Sequence, residues 1–139
     1  MKKSVITIFI TIVMTIMLSH SQAHAEVDTS KPKELLYHDI FISMLLPNIQ
    51  KQTHKYYSTI LTKSPVVYPY MVYVENAERN HFRGFSFSVT LKVIPVVGPH
   101  ISVGIDKFTF KIDSSKVELE NFNHIKTCEL PPNWQHIVK

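Results

Sequence analysis

Two patterns of apolar and polar residues divide the chain into a helical first part and a stranded second part. From Lys33 to about Leu61, apolar residues recur at spacings of three and four, which is typical of an amphipathic helix. Pro47 lies inside this stretch, lacks an amide hydrogen and disfavours helical backbone at Leu46. The pattern therefore predicts two helices separated by a break or a sharp kink at Pro47.

The second part of the chain predicts four strands. Tyr70–Glu75 is rich in Val and Tyr, and Gly84–Ile94 alternates cleanly between apolar and polar residues, as half-buried antiparallel strands do. The third strand is expected over His100–Ile112. The fourth is expected over Val117–Thr127, where the weaker alternation indicates an irregularity near Asn121.

The apolar positions change phase within the third strand. They are odd-numbered up to Ile105 and even-numbered from Phe108 onward. One face of a sheet can collect both sets only if an extra residue is absorbed between them. A β-bulge at Asp106-Lys107, with Gly104 beside it to allow unusual dihedral angles, would do this. Two short strands that meet at a bend would explain the same pattern.

Two helices followed by a four-stranded meander predict an α+β domain. Each element has one apolar side, so the helices must cover one face of an antiparallel sheet. A curved sheet that wraps a helix, as in cystatin-like or nuclear-transport-factor-like cones, is the natural closed form. Pro131 and Pro132 predict the end of regular structure, so the ordered core is expected over about residues 31–130, with the last residues on the surface.

The first residues have the three parts of a secretory signal peptide. Lys2 and Lys3 are basic, Val5–Leu18 is uncharged and mostly apolar, and small residues stand at Ala23 and Ala25. The pattern predicts cleavage after Ala25 and a protein that is secreted or extracytoplasmic.

Cleavage would divide the chain into a signal peptide, residues 1–25, and a single domain, residues 26–139. The apolar stretch is shorter than the roughly 20 residues of a spanning helix, so no stable membrane span is expected after cleavage. An uncleaved membrane anchor is the alternative.

Charge and cysteine content narrow the possible partners. The formal charge is +4, and it includes Lys2 and Lys3 of the signal peptide. So small a positive charge, spread along the chain, does not predict nucleic-acid binding. The single cysteine, Cys128, cannot form an internal disulfide. An intermolecular disulfide at Cys128 stays open.

Common catalytic and cofactor motifs are absent from the sequence. It contains no H-E-x-x-H, G-x-S-x-G or C-x-x-C motif, and its three glycines do not form a phosphate-binding loop. We therefore predict no catalytic residue and no cofactor. The domain has six histidines without ligand-like spacing, so no metal site is predicted; they are His38, His54, His81, His100, His124 and His136.

His100 and Asp106 are the candidate residues for binding a ligand or partner. They belong to a run, Gly98–Asp106, that holds two of the three glycines. Glycine is costly inside a strand, so its use there indicates a special backbone geometry. Bulges also redirect side chains and are frequent near functional sites. A purely structural role, in which the bulge curves the sheet and Asp106 caps its free amides, is the alternative.

Four stretches of the sequence resemble the family known as domain of unknown function 3888. Its members are small exported proteins of endospore-forming bacteria without an assigned activity. The resemblance therefore implies the domain limits and an exported location, but no catalytic residue. The stretches are Glu34–Gln50, Tyr68–Val74, Phe85–Phe110 and Phe122–Lys126, and the most specific part is the V-G-P-H and V-G-x-D pattern of Val97–Asp106.

The leading functional hypothesis is an exported, non-enzymatic module that binds an envelope component or an extracellular ligand. A small hydrolase or lyase that uses His100 and Asp106 is one alternative, and a structural component of an envelope or spore layer is another. A water-excluding cavity with converging acid and histidine groups would favour the enzyme. A shallow apolar groove would favour binding, and a long exposed sheet edge would favour assembly.

Overall fold

The computed structural model describes residues 30–139. The predicted signal peptide and its cleavage site at Ala25 lie outside the described residues. One α-helix, α1, is followed by six strands. The bounds are Ser30–Tyr57 for α1, Val72–Arg79 for β1, Ser86–Val93 for β2, Val96–Val97 for β3, Ile101–Ser102 for β4, Gly104–Asp113 for β5 and Val117–Thr127 for β6. Short 3-10 helices span Pro69–Met71 and Pro132–Ile137.

Four of the strands form one antiparallel sheet in the order β1-β2-β5-β6. The short strands β3 and β4 pair with each other as a hairpin between β2 and β5. One long helix and a four-stranded antiparallel sheet confirm the predicted α+β class. Within residues 30–139, no helix is both long enough and apolar enough to cross a membrane.

The predicted break at Pro47 is wrong, because α1 continues through it. The buried residues Ile42, Leu45 and Ile49 keep helical spacing on both sides of the proline and pack in the core. Pro47 itself is exposed, and so is Ser43, whose carbonyl group would have accepted the missing hydrogen bond. That carbonyl group therefore lies on the solvent side of the helix, and packing of the opposite side outweighs the local cost.

The main core lies between α1 and one face of the sheet. Alternate residues of β2 and β5 point into it, and the two phenylalanines of β5, Phe108 and Phe110, are fully buried. Burial of each such side chain contributes about 1.5–3 kcal/mol. The buried members of this cluster are Ile42, Leu45, Ile49, Val67, Val72, Val89, Leu91, Val93, Phe108 and Phe110.

The phase change in the third strand comes from a change of sheet, so the predicted bulge at Asp106-Lys107 is wrong. Ile101–Ser102 pairs with β3 in the hairpin, and the chain joins the main sheet only after Val103. From Asp106 onward, β5 stays in continuous register with β2. The alternative of two strands that meet at a bend is confirmed.

The fourth strand, β6, has the predicted bounds Val117–Thr127. Thr109 pairs with Asn121, but the next residue of β5 pairs with Leu119, so Glu120 is an extra residue in β6. This bulge confirms the irregularity expected near Asn121.

The buried structure extends beyond the predicted limit near residue 130. Ile137 is only 3% exposed and packs in a second core cluster with Leu61. Proline suits the first turn of a helix, so Pro132 begins the 3-10 helix that brings Ile137 back to the core. The ring of Trp134, in the same helix, lies against Gly98, where a Cβ atom would overlap the indole.

We expect Pro47→Ala to stabilise the protein. Pro47 lies on the exposed side of a continuous helix, where proline costs about 3 kcal/mol relative to alanine. The free energy of unfolding, measured by chemical denaturation, should rise by up to about this amount. Pro131→Ala is the control, because Pro131 is exposed and precedes its helix rather than lying inside it. A loss of stability in Pro47→Ala would show that the fold needs a kink at this position.

Candidate functional site

The carboxyl group of Asp106 is buried in the core. Asp106 alternates with Phe108 and Phe110 on the face of β5 that is covered by α1, and its side chain is 0% exposed. A buried carboxylate is costly unless hydrogen bonds satisfy it. Two side chains from other elements supply them: His124 of β6 and Tyr57 at the end of α1.

A bulge in β6 places the partners of Asp106. The bulge consists of one extra residue, Ile125, opposite the junction of Ile105 and Asp106 in β5. In a regular strand, residues three positions apart lie on opposite faces of the sheet. Because Ile125 is an extra residue, His124 and Thr127 lie on the same face of the sheet, and this is also the face of Asp106.

Three side chains then form a chain of hydrogen bonds. Nδ1 of His124 lies 2.7 Å from Oδ1 of Asp106, and Nε2 of the same ring lies 2.8 Å from Oγ1 of Thr127. In the ionised state of Asp106 the carboxylate only accepts, and in that state Nδ1 carries the proton and Nε2 accepts from the Thr127 hydroxyl group. An acid that orients an imidazole, and an imidazole that accepts from a hydroxyl group, are the parts of an activated nucleophile.

Exposure increases along this chain from acid to hydroxyl group. Asp106 is fully buried, the His124 side chain is 18% exposed, and Thr127 is exposed. The ring of Tyr56 lies against the imidazole, with centroids 4.9 Å apart and planes 30° apart. The orientation of His124 is therefore fixed on one side by Asp106 and on another by an aromatic ring.

Gly104 allows these groups to approach each other closely. The hydroxyl group of Tyr57 lies 3.3 Å from Oδ1 of Asp106. A Cβ atom added at Gly104 would overlap this hydroxyl group and would lie 2.9 Å from Cε1 of His124. Glycine is thus needed here for space, whereas the glycine with a positive φ angle is Gly98.

Burial dominates the electrostatics of the site. It raises the pKa of Asp106, while hydrogen bonding and attraction by His124 and the hydrogen bond from Tyr57 oppose the rise. Burial, and then the nearby Asp106, raise the pKa of Tyr57, so Tyr57 stays neutral and donates. The other carboxyl oxygen of Asp106, Oδ2, is buried without a hydrogen-bond partner among the described residues, which is unusual for a buried polar atom.

A pocket of about 540 Å³ opens beside this chain of hydrogen bonds. Its size is within the range of small-molecule sites, about 300–1,000 Å³. Two residues of the site, Tyr57 and Thr127, belong to its wall. Most of the remaining wall is apolar and comes from Ile60, Leu61, Val103, Leu130 and Val138; its other residues are Cys128, Glu129 and Gln135.

The structure places His100 away from Asp106, in a different cluster. His100 is exposed in the turn before β4, and its φ of 63° is in the left-handed region that few non-glycine residues adopt. Its Nε2 atom lies 2.8 Å from the hydroxyl group of Tyr70, and its ring lies 4.9 Å from that of Tyr68. No described interaction joins His100 to Asp106. A binding role for either residue stays a prediction.

Sequence reasoning missed Thr127 and gave His124 no role. Regular alternation would put the two residues on opposite faces of β6, and only the pairing with β5 reveals the extra residue at Ile125. The available signal was Gly104, which the sequence had linked to Asp106. Among residues 30–139, no group of three His, Cys, Asp or Glu side chains could hold a metal ion.

We expect Gly104→Ala to destabilise the protein by about 1–3 kcal/mol. The new Cβ atom would overlap the Tyr57 hydroxyl group and lie 2.8 Å from the carbonyl oxygen of Lys126, which is backbone and cannot easily yield. Gly84→Ala is the control, because its Cβ atom would meet its nearest neighbour at 3.3 Å near the surface. Equal stability of the two variants in chemical denaturation would contradict the close packing at Gly104.

The raised pKa of Asp106 predicts how stability depends on pH. A group whose pKa rises on folding stabilises the folded state fully below its ordinary value, here 3.8, and this contribution is lost as the pH rises through the folded value. The stability of the wild type relative to Asp106→Asn should therefore be greater near pH 3 than near pH 7. Other carboxyl groups titrate in both proteins and cancel in the difference. If the wild type instead gains stability relative to Asp106→Asn as the pH rises, the interaction with His124, and not burial, dominates the pKa of Asp106.

Comparison with known protein families identifies the family of this chain. The family described as "Protein of unknown function (DUF3888)" matches residues 37–126, which include Asp106 and His124 and end one residue before Thr127. No curated protein and no solved structure matches the chain. The match covers more than half of the chain and confirms the resemblance seen in the sequence. The chain therefore belongs to the DUF3888 family of proteins of unknown function.

Proposed function

We propose that the protein is an exported module that binds a small, largely apolar molecule. The observation that carries this proposal is the pocket of about 540 Å³, with a mostly apolar wall and a few converging polar groups. Sites for small molecules commonly have this composition, because the apolar wall supplies affinity and the polar groups fix orientation.

The wall also indicates the kind of ligand. Ile60, Leu61 and Val103 suit a hydrocarbon portion, whereas the side chains of Thr127 and Gln135 suit a polar end that exchanges hydrogen bonds. A molecule with both parts, such as a fatty acid or its ester, matches this division. The ligand would meet the protein outside the membrane, as an envelope component or an extracellular molecule.

The exported location belongs to the proposal. It is supported by the uncharged stretch Val5–Leu18 after two lysines, and by the small residues Ala23 and Ala25. We also propose that the protein comes from an endospore-forming bacterium, as the small exported proteins that it resembles do. A cystatin-like form, in which a curved sheet wraps a single helix, is also proposed, and the bulges at Glu120 and Ile125 favour such curvature.

The edges of the sheet favour binding over the alternative of a structural layer component. Assembly through sheet edges needs long, regular edge strands. The edge strand β1 has an extra residue at Glu75 and carries further charges at Glu78 and Arg79, and the other edge strand, β6, has two bulges. Bulges and charges of this kind disfavour pairing between edges.

We expect the protein to bind a dansyl-labelled fatty acid saturably, and Val138→Gln to weaken this binding. Val138 lines the pocket and is 54% exposed, so the change should remove apolar contact with little effect on folding. A loss of about 1 kcal/mol corresponds to a Kd raised about fivefold to tenfold. The change adds no charge, so it does not act on the carboxylate of the probe from a distance.

The matched control is Val117→Gln, because Val117 is a comparably exposed valine, at 39%, that does not line the pocket. Its Kd, measured by fluorescence titration, should equal that of the wild type. Failure of the wild type to bind the probe saturably, or equal weakening by both variants, would refute the pocket as the binding site.

A further inference from the structure

We propose that this pocket also cleaves esters, with Thr127 as the nucleophile, His124 as its general base and Asp106 as the residue that positions His124. The inference rests on the proposed function, because the acyl chain of the ester would occupy the same apolar pocket. The sequence left open a hydrolase that uses His100 and Asp106 as one alternative. The present proposal keeps Asp106 but replaces His100 with His124.

The geometry is that of a nucleophile, a base and an orienting acid. Both hydrogen bonds in the chain, 2.7 Å and 2.8 Å, are within the roughly 2.6–3.2 Å required for proton transfer along it. The hydrogen bond that Nδ1 donates to Asp106 also selects the tautomer, because it keeps the proton on Nδ1 and leaves the lone pair of Nε2 facing Thr127. Burial of the acid and exposure of the hydroxyl group complete the arrangement.

A packing role alone would explain only part of this arrangement. Satisfying the buried carboxyl group of Asp106 requires His124 and Tyr57. It does not require that Nε2 of His124 also form a hydrogen bond with the hydroxyl group of Thr127, a residue of the pocket wall. The bulge at Ile125 brings Thr127 to this position, and bulges frequently redirect side chains next to active sites.

The reaction would proceed in two balanced steps. In the first, Oγ1 of Thr127 attacks the ester carbonyl carbon while Nε2 of His124 takes the hydroxyl proton. When the tetrahedral intermediate collapses, the bond to the alcohol oxygen breaks, this oxygen takes the proton from His124, and the acyl group stays on Thr127.

In the second step, water attacks the acyl-Thr127 carbonyl carbon and gives a proton to Nε2 of His124. Collapse breaks the bond to Oγ1, which recovers the proton, and a carboxylic acid leaves. The sum is ester plus water to acid plus alcohol, without an oxidant, a reductant or a cofactor. The carbonyl oxygen can accept a hydrogen bond from the side-chain amide of Gln135, a residue of the pocket wall.

The test measures hydrolysis of p-nitrophenyl butyrate by the purified protein and its variants. The wild type should exceed the buffer rate, and Thr127→Val should lower kcat by at least about a hundredfold with little change in KM, because the nucleophile acts only in the chemical step. Thr127 is exposed and valine has the same shape, so folding should be unaffected. Thr127→Ser, which keeps a hydroxyl group, should retain most of the activity.

Thr90→Val is the matched control, because Thr90 is also a strand threonine but does not line this pocket. It should hydrolyse the ester at the wild-type rate. Asp106→Asn tests the positioning role through the pH profile. Asparagine can donate to Nδ1 and so move the ring proton to Nε2, which should lower kcat by at least about a hundredfold and change the pH dependence, beyond any change in stability.

The outcomes separate this proposal from the proposed function. Hydrolysis that is lost in Thr127→Val and kept in Thr127→Ser and Thr90→Val supports the esterase. Equal rates for wild type and Thr127→Val, or a wild-type rate no greater than buffer, overturn it. If the fatty acid still binds in either case, the binding function stands alone; if the fatty acid does not bind, both fail.

Discussion

One buried carboxylate, that of Asp106, determines the arrangement of the groups around it. A carboxyl group within the core must receive hydrogen bonds from the protein, because water does not reach it there. His124 and Tyr57 supply these bonds from two other elements, one from the edge strand and one from the helix. Gly104 leaves space for both, and the bulge at Ile125 aligns the edge strand with them. Several local irregularities therefore share one cause.

The helix contributes both to this hydrogen bond and to the main core. Tyr57 is the last residue of α1 and its hydroxyl group donates to Asp106, while Ile42, Leu45 and Ile49 pack on the sheet. A break at Pro47 would turn the second half of the helix away from this line. The buried contacts of the helix extend over several turns, whereas proline removes a single hydrogen bond on the exposed side, so the continuous helix is favoured.

The sequence alone predicted features that depend on local alternation. The bounds of β6, the irregularity beside Asn121 and the α+β class all follow from periodicity and were confirmed. The helix break failed because tertiary packing outweighed a local rule. The position of Thr127 could not be predicted, because a bulge is defined by pairing with a partner strand, and Ile125 looks like an ordinary strand residue in the sequence.

Packing of the core does not by itself require an acid at position 106. An apolar residue at position 106 would pack with Phe108 and Phe110 without requiring partners, a glycine or a bulge, and replacing buried charged groups with apolar ones is often neutral or stabilising. The chain instead has an acid there, two partners for it, and one further hydroxyl group, Thr127, aligned beside a pocket. Proteins break local sequence rules mainly at functional sites, and here several such exceptions surround one exposed residue. This convergence is the physical reason to look for function at Thr127.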